Sequence, residues 1–358
     1  MTRIYLDHAA TTPLRPEARA ALEDGWRLWA NPSSPHADGR AARRALEDAR
    51  DRIRTALGWT GELVFTSGAS EAATLALNGA KAGSRLVSAV EHDAVLQQAT
   101  GAAVLPVGND GTLCLAALDR ELQAADDPLV AVQSINSETG AAQDIAPLAA
   151  QVQEAGGLLM VDHSQGAGKV ALPAGADLAI IAAHKFGGPV GVGALLVRDW
   201  AMLTPSGGQE RGYRRGTENL PGALSMAAAL EAALAGPLTA EPVDDLLADL
   251  AAGVRAAGGM WLGDRLAKPT PLIHALATPH LSATAQLMRL DLAGIAVSQG
   301  SACSSGSMRS SHVLAALGIA DDDAARFIRI SLGWSTTRAD LQRFGDAWLA
   351  MARREAAA

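Results

Sequence analysis

The sequence predicts an α/β fold, with a mostly parallel sheet in a large domain and a smaller α+β domain towards the C-terminus. Short apolar runs alternate with segments of helical length between residues 62 and 197, which is the pattern of βαβ units. Only 4% of the residues are aromatic although 49% are hydrophobic, which indicates an aliphatic core of helices packed on parallel strands. Proline and glycine interrupt the helical pattern between Gly236 and Pro242, where we place the domain boundary.

With 358 residues, the chain is long enough for about two domains with substantial cores. We predict a large domain over residues 13–240 and a small domain formed by residues 1–12 together with residues 241–358. The short strands GIAVSQ and IRISL would belong to the small domain.

The first elements are a short strand, a Thr/Pro turn and two helices. The first helix is expected to carry Trp26 and Trp29, and the second begins near Asp38. In the second helix, apolar residues recur at helical spacing with charged residues opposite, and Gly58 is placed to end it. This pattern predicts an amphipathic surface helix.

The next strand, ELVFT, runs through Ser67-Gly68-Ala69-Ser70 into a helix. Free backbone N–H groups at such a helix start favour a phosphate, and small residues let the anion approach closely. An ordinary tight turn between strand and helix explains the same residues equally well. Taken alone, this segment leaves both interpretations open.

Two later apolar runs predict adjacent buried parallel strands. The run LLMV ends in Asp162, and LAII leads into His184 and Lys185. Because the carboxyl ends of parallel strands meet at one edge of a sheet, Asp162, Gln165, His184 and Lys185 could face one ligand. A lysine beside a buried carboxylate suggests Schiff-base chemistry, and the alternatives are a capping aspartate and a solvated lysine.

His92, Cys303 and an arginine-containing loop are further candidates for chemistry, whereas Cys114 is not. His92 also follows a strand end, where it serves either a ligand or the structure. Cys303 lies in QGSACSSGS, a small polar run that cannot bury a thiol among apolar side chains, and this favours a reactive nucleophile over a chance exposed cysteine. Cys114, in GTLCLAAL, is predicted to be a core residue. The arginines of SGGQERGYRRGTENLPG indicate either an anionic ligand or a solvated surface loop.

Composition and charge argue against several classes of function. A net charge of -8, without a block of basic residues, argues against nucleic acid as the main partner. No apolar run reaches the roughly 18 residues that a membrane helix needs, and the N-terminus lacks a signal-peptide pattern. We therefore predict a cytoplasmic protein without a membrane partner. Two cysteines make neither a disulfide framework nor a metal cluster, and we predict no metal site.

Several blocks of this sequence together resemble the cysteine desulfurases, which are class-V aminotransferase-fold enzymes that use pyridoxal 5'-phosphate. In chain order these blocks are YLDHAATT, NPSSPH, FTSGASEA, EHDAV, the pair VDHSQ and AHKFGGP, GGQERGYRRGTEN, GSACSSGS and IRISLG. They run in collinear order from Tyr5 to about Gly333. The resemblance implies an aminotransferase-like large domain and a homodimer.

The resemblance also implies roles for individual residues. Cofactor binding is implied for Ala69, Ser70, His92, Ser137, Asp162, Gln165, His184, Lys185 and Thr217. Within this set, Lys185 holds the cofactor covalently, Asp162 pairs with its pyridine nitrogen, and Thr217 reaches the phosphate from a second subunit. Substrate binding is implied for Arg329, Asn31 and Asn136, and a catalytic role for Lys185, Cys303 and His92.

The implied reaction converts L-cysteine to L-alanine and leaves a persulfide on Cys303 for an acceptor protein, such as an iron-sulfur scaffold or a tRNA-thiolation protein. The chain departs from the family pattern at several positions, which carry Ala182, Ser137, Ser70 and His8. Two alternatives are a selenocysteine lyase or other lyase of the same fold, and a catalytically weak relative that serves as a scaffold or sulfur relay.

Overall fold

The computed structural model describes residues 3–300 and 311–356, with side chains up to residue 353. In chain order the strands are β1 (Ile4–Tyr5), β2 (Glu62–Thr66), β3 (Ser84–Ser88), β4 (Ala103–Leu105), β5 (Pro128–Gln133), β6 (Leu158–Asp162), β7 (Leu178–Ala182), β8 (Gly193–Val197), β9 (Met260–Trp261), β10 (Ile273–Ala277), β11 (Ile295–Ala296) and β12 (Phe327–Ser331). The helices are α1 (Pro16–Arg27), α2 (Ala37–Leu57), α3 (Ala69–Gly79), α4 (Asp93–Leu96), α5 (Leu115–Ala124), α6 (Ile145–Glu154), α7 (Leu220–Ala235), α8 (Asp244–Ala256), α9 (Ala283–Leu292), α10 (His312–Ala316), α11 (Asp321–Ala324) and α12 (Arg338–Ala356).

The larger sheet has the strand order β2-β8-β7-β6-β5-β3-β4. Its strands are parallel except β8, which is antiparallel to both β2 and β7. Strands β5, β7 and β8 are buried along their whole length, because helices cover both faces of the sheet. The predicted α/β fold with a mostly parallel sheet is confirmed.

Alternate residues of β7 show how the two faces are covered. Ala179 and Ile181 lie in a core with residues of α1, α2 and α7, whereas Leu178 and Ile180 lie in a core with residues of α3. Successive side chains of a strand point to opposite faces, so one apolar run serves both cores. The strand ends are thereby held rigidly at the sheet edge that forms the site.

A second, antiparallel sheet has the strand order β12-β10-β9. Helices α8, α9 and α12 pack on it, and the N-terminal Ile4 and Leu6 lie in the same core. Strand β1 pairs in parallel with β11. These contacts place the N-terminal strand with the C-terminal elements, and the exact domain limits at residues 13 and 240 stay a prediction.

Two local predictions are wrong. Helix α1 ends at Arg27, so Trp29 lies beyond it and is 80% exposed. Cys114 is exposed rather than buried, because it precedes α5, whose apolar face is formed by Ala117, Leu118 and Leu122. By contrast, Gly58 ends α2 in the left-handed region, with φ 63°, as predicted.

None of the helices in the described part of the chain is long and apolar enough to cross a membrane. Those residues also contain no group of three or more His, Cys, Asp or Glu side chains placed to hold a metal ion.

Candidate active site

A cavity of about 790 Å³ lies where the carboxyl ends of β5, β6 and β7 meet. The predicted site residues that line it are Ala69, Ser70, His92, Asn136, Ser137, Asp162, Gln165, His184, Lys185 and Arg329. They come from separate parts of the chain, and the sheet order brings them together. Parallel strands that end at one edge make such a crevice the usual ligand site of an open α/β sheet.

Asp162 and Lys185 face this cavity from adjacent parallel strands. Asp162 is the last residue of β6 and is 9% exposed, and its Oδ1 accepts a hydrogen bond of 2.9 Å from the Ser164 N–H. Lys185 ends the 3₁₀ turn Ala183–Lys185, which directly follows β7. A single backbone donor only partly satisfies a buried carboxylate, so a cationic ligand group would be favoured at Asp162.

The N-terminal segment holds the lysine amine at the cavity. Lys185 Nζ donates to the backbone oxygens of Ala9 and Ala10, at 2.7 and 3.0 Å. Gln165 Nε2 donates to the same Ala9 oxygen at 2.8 Å. Thr12 fixes the segment in turn, because its Oγ1 donates to the Lys185 oxygen at 3.1 Å. The carbonyl oxygens of Ala9 and Ala10 therefore orient the amine at the cavity wall.

A second amine, which the sequence reasoning missed, lies behind Gln165. Lys169 Nζ donates to Gln165 Oε1 at 3.2 Å, which leaves the amide N–H₂ to face Ala9. Burial, together with the charge of Lys185, lowers the pKa of Lys169 to about 7. Residues 164–169 form turns rather than a helix, so no helical or strand periodicity pointed to this lysine.

The start of α3 closes another side of the cavity. Gly68 precedes α3 with φ 155°, and no side chain caps the helix there. The first-turn N–H groups have no partner within the helix, and Ala69 and Ser70 open onto the cavity. A Cβ on Gly193 would lie 2.8 Å from the Gly68 Cα, so a glycine in the neighbouring strand permits this close approach. The site therefore offers donors for an anion, in agreement with the phosphate interpretation.

Two histidines at the cavity are oriented by hydrogen bonds. His92 caps α4, and its Nδ1 accepts from the Ala94 N–H at 3.1 Å, which places any ring proton on Nε2. His184 Nδ1 lies 3.0 Å from Thr11 Oγ1. Burial, followed by the charges of Lys185 and Lys169, lowers the pKa of His184 to about 4. His184 is therefore neutral at neutral pH.

Glu91 is a buried acid of the cavity wall to which the sequence reasoning gave no role. It is 0% exposed, and its Oε1 accepts from the Gln133 N–H at 2.7 Å, while Oε2 has no partner among the described residues. Burial, and secondarily the charge of Asp162, raises the pKa of Glu91 well above its ordinary value. The site thus places the Asp162 carboxylate beside a Glu91 carboxyl group that favours its neutral form.

Glu91→Gln is expected to stabilise the protein increasingly as the pH rises. Since the folded-state pKa of Glu91 is above its unfolded value, its contribution to stability is complete below the unfolded pKa and is lost as the pH rises through the folded pKa. Glutamine keeps an acceptor for Gln133 and has no proton to lose. We expect its melting temperature to exceed that of the parent by at least about 2 °C at pH 8, and by less at pH 5.

The control for this measurement is Glu154→Gln, which changes an exposed carboxyl at the end of α6. Scanning calorimetry at both pH values compares the two variants with the parent. An equal difference at pH 5 and pH 8 for Glu91→Gln would show that Glu91 is not held neutral.

Arg329 lies on β12 at the opposite wall. Its Nη1 donates to the Ser137 oxygen at 2.8 Å, and its Nη2 donates to Asp7 Oδ1 at 2.6 Å. Asn136 beside it is committed to its own turn, because its Oδ1 accepts from the Glu138 and Thr139 N–H groups, both at 2.9 Å. Ser137 contacts Arg329 through its backbone oxygen, so this contact does not depend on the side chain at position 137.

The structure does not bring every predicted residue to this cavity. Asn31 and Thr217 are exposed and do not line it, and Asn31 Oδ1 accepts from the Ser33 N–H at 2.9 Å. Cys303 lies outside the described residues. Their implied roles stay predictions.

The arginine-containing loop is ordered, and carboxylates of the same chain pair with its arginines. Arg211 lies 3.0 Å from Glu62, and Arg214 lies 3.0 Å from Glu71. The loop is anchored by Glu210, whose carboxylate accepts from both Nη atoms of Arg50 at 2.8 and 3.0 Å. The sequence pattern indicated either an anionic ligand or a solvated surface loop. The ion pairs neutralise part of the positive charge of this loop without an external anion.

Comparison with known proteins identifies the family. The model of the family described as aminotransferase class-V matches residues 4–344. A cysteine desulfurase of Cereibacter sphaeroides is 40% identical over 371 residues, which cover 96% of this chain and 94% of the relative. The chain belongs to the cysteine desulfurase family. An IscS-like cysteine desulfurase of Mycobacterium tuberculosis is 37% identical and covers 94% of this chain and 93% of its own.

Solved structures of other proteins share the fold. A NifS-like protein from Rickettsia africae superposes with a TM-score of 0.85 at 29% identity, over 97% of this chain and 98% of that chain. A structure described as SspA in complex with cysteine superposes with a TM-score of 0.77 at 26% identity, over 93% of this chain and 100% of that chain.

Proposed function

We propose that this family member is a pyridoxal-phosphate-dependent cysteine desulfurase, which converts L-cysteine to L-alanine and transfers the sulfur through Cys303. The observation that carries the proposal is the single cavity in which Lys185, Asp162 and the start of α3 face one another. This combination suits a ligand that has a carbonyl, a protonated ring nitrogen and a phosphate. Membership of the family, which is generally dependent on this cofactor, supports it.

The residues present fit pyridoxal 5'-phosphate. Asp162 would hold the ring nitrogen protonated, the free N–H groups at Ala69 and Ser70 would hold the phosphate, and His92 would lie against the ring. When bound, the cofactor supplies an electron sink for the substrate α-carbon. Ala182 lines the same cavity without a hydroxyl, so phosphate binding would depend on the helix start, His184 and the partner subunit.

The chain's own residues would divide the remaining work between them. Arg329 binds the substrate carboxylate, for which a planar guanidinium is suited. The Lys185 amine moves the proton at the substrate α-carbon. The Cys303 thiolate attacks the substrate sulfur, so that a sulfur–sulfur bond forms while the carbon–sulfur bond breaks. The electron pair of the broken carbon–sulfur bond stays with the carbon skeleton, which leaves as alanine.

Incubation of the protein with L-cysteine and pyridoxal phosphate tests this function. Equal amounts of alanine and persulfide are expected in the first turnover, and the mass of the Cys303 peptide should rise by one sulfur atom. Alanine without sulfur on that peptide would contradict the persulfide route, and the absence of both would contradict the proposed function.

We also propose a cytoplasmic homodimer that passes its sulfur to an acceptor protein. Thr217 is exposed and lies apart from the cavity of its own chain, which supports a role in the cavity of a partner subunit. Sedimentation equilibrium should give twice the chain mass, and a monomer that retains full activity would contradict the dimer.

A further inference from the structure

The Arg329 guanidinium is held in a fixed orientation by two acceptors. Asp7 Oδ1 accepts from Nη2 at 2.6 Å, and the Ser137 backbone oxygen accepts from Nη1 at 2.8 Å. Asp7 lies in the segment after β1, and Ser137 lies in the turn after β5, so the guanidinium is hydrogen-bonded to two different parts of the fold. The Arg329 side chain is only 5% exposed, and that of Asp7 is 20% exposed.

The third nitrogen, Nε, is buried and has no partner among the described residues. A buried donor without an acceptor is costly, so the hydrogen bonds of Nη1 and Nη2 are the contacts that hold this guanidinium in place. Arg329 lines the same cavity as Lys185. The unsatisfied donor is therefore part of a side chain at the place where an amino-acid substrate would bring its carboxylate.

We propose that Asp7 is a positioning residue for substrate binding, because it holds the Arg329 guanidinium at the cavity wall in the orientation in which the substrate carboxylate would meet it. The inference rests on the proposed function, since it assigns the carboxylate of an amino acid to Arg329. Asp7 also neutralises the cation while the cavity is empty, which keeps a nearly buried charge in place.

The position of Asp7 in the fold supports this role. Its backbone forms a parallel bridge to Ser331 on β12, two residues from Arg329, and its backbone oxygen accepts from the Ala10 and Thr11 N–H groups at 3.1 and 3.2 Å. The Asp7 backbone is thus fixed both to the strand that carries Arg329 and to the segment that holds Lys185.

Asp7→Ala and Asp7→Asn test the proposal in the full-length protein loaded with its cofactor. For Asp7→Ala we expect KM for L-cysteine to rise at least about tenfold, with kcat within about threefold of the parent, because binding of the ground state and of the transition state would be weakened alike. Asp7→Asn keeps an acceptor at the same position and should restore most of the affinity. The matched control is Asp291→Asn, which changes the exposed Arg3–Asp291 pair, 2.7 Å long, and should leave both constants unchanged.

A binding measurement separates this inference from the proposed function. Isothermal titration with L-alanine should show at least about a tenfold weaker Kd for Asp7→Ala than for the parent, while cofactor absorbance and melting temperature identify variants that are merely misfolded. Weaker L-alanine binding in a protein that releases no sulfur from L-cysteine would support the role of Asp7 and contradict only the proposed function. The proposal would be overturned if a folded Asp7→Ala variant had an unchanged KM and Kd. It would also be overturned if Asp7→Asn bound as weakly as Asp7→Ala.

Discussion

Lys185→Ala is expected to lower the rate of alanine formation from L-cysteine by about a thousandfold or more, because it removes the group that we propose moves the α-proton. The structure places this amine at the cavity, where it donates to the carbonyl oxygens of Ala9 and Ala10, at 2.7 and 3.0 Å. Alanine in place of Lys185 should also abolish the visible absorbance of lysine-bound pyridoxal phosphate. Stopped-flow kinetics and absorbance spectra measure the two effects separately.

The control for Lys185→Ala is Lys268→Ala, which removes an exposed amine that lies 2.8 Å from Asp144 at the surface. This variant should keep the parent rate and spectrum. If Lys185→Ala retained the spectrum, the cofactor would not be held by Lys185. If it retained the rate, proton transfer would have to be assigned to another group, and Lys169 would be the first to examine.

Cys303→Ser is expected to abolish persulfide formation and to lower sulfur release by about a thousandfold, because a serine hydroxyl is hardly ionised at neutral pH and cannot carry a persulfide sulfur. Cofactor absorbance should be unchanged, since none of the residues proposed to hold the cofactor is altered. Mass spectrometry of the peptide and a sulfide assay test both parts. The combination of a normal spectrum with lost sulfur transfer would separate the two halves of the mechanism.

Cys114→Ser is the matched control, because Cys114 is the exposed cysteine of the described chain and lies outside the cavity lining. It should transfer sulfur at the parent rate. Release of sulfur by Cys303→Ser at the parent rate would instead favour a lyase of the same fold, and a persulfide found on Cys114 would move the transfer step to a different surface.

The sequence was sufficient to predict the α/β architecture and the main pair of the site. The apolar runs that end in Asp162 and lead into Lys185 are local signals. Because parallel strands end at a common edge of the sheet, these signals predict that the two side chains lie in one cavity. The end of α2 at Gly58 is a local signal of the same kind, because glycine adopts the left-handed backbone conformation at little energetic cost. The resemblance added Arg329, and the structure places it in the wall of the same cavity.

The error at Cys114 has a physical reason. An apolar stretch such as GTLCLAAL reports which residues are hydrophobic but does not determine where the helix begins. Once α5 starts at Leu115, the face that carries Leu118 and Leu122 turns inwards and Cys114 is left outside. Packing on the sheet decides which face of a helix is buried. Composition therefore does not determine whether a thiol just before the helix start is buried or exposed.

Local pattern by itself therefore determined the class of fold, the strand ends and the candidate lysine, because each depends on a short run of neighbouring residues. Only the tertiary structure decided that Asp7 and Ser137 hold Arg329, that Lys169 lies behind Gln165, and that Glu91 shares its wall with Asp162. The contacts of Asp7 and Ser137 with Arg329 join residues 322 and 192 positions apart. Such contacts arise from the order of strands in the sheets, which brings distant residues together, and from burial, which makes an unpaired charge costly. Neither strand order nor burial can be read from neighbouring residues along the chain.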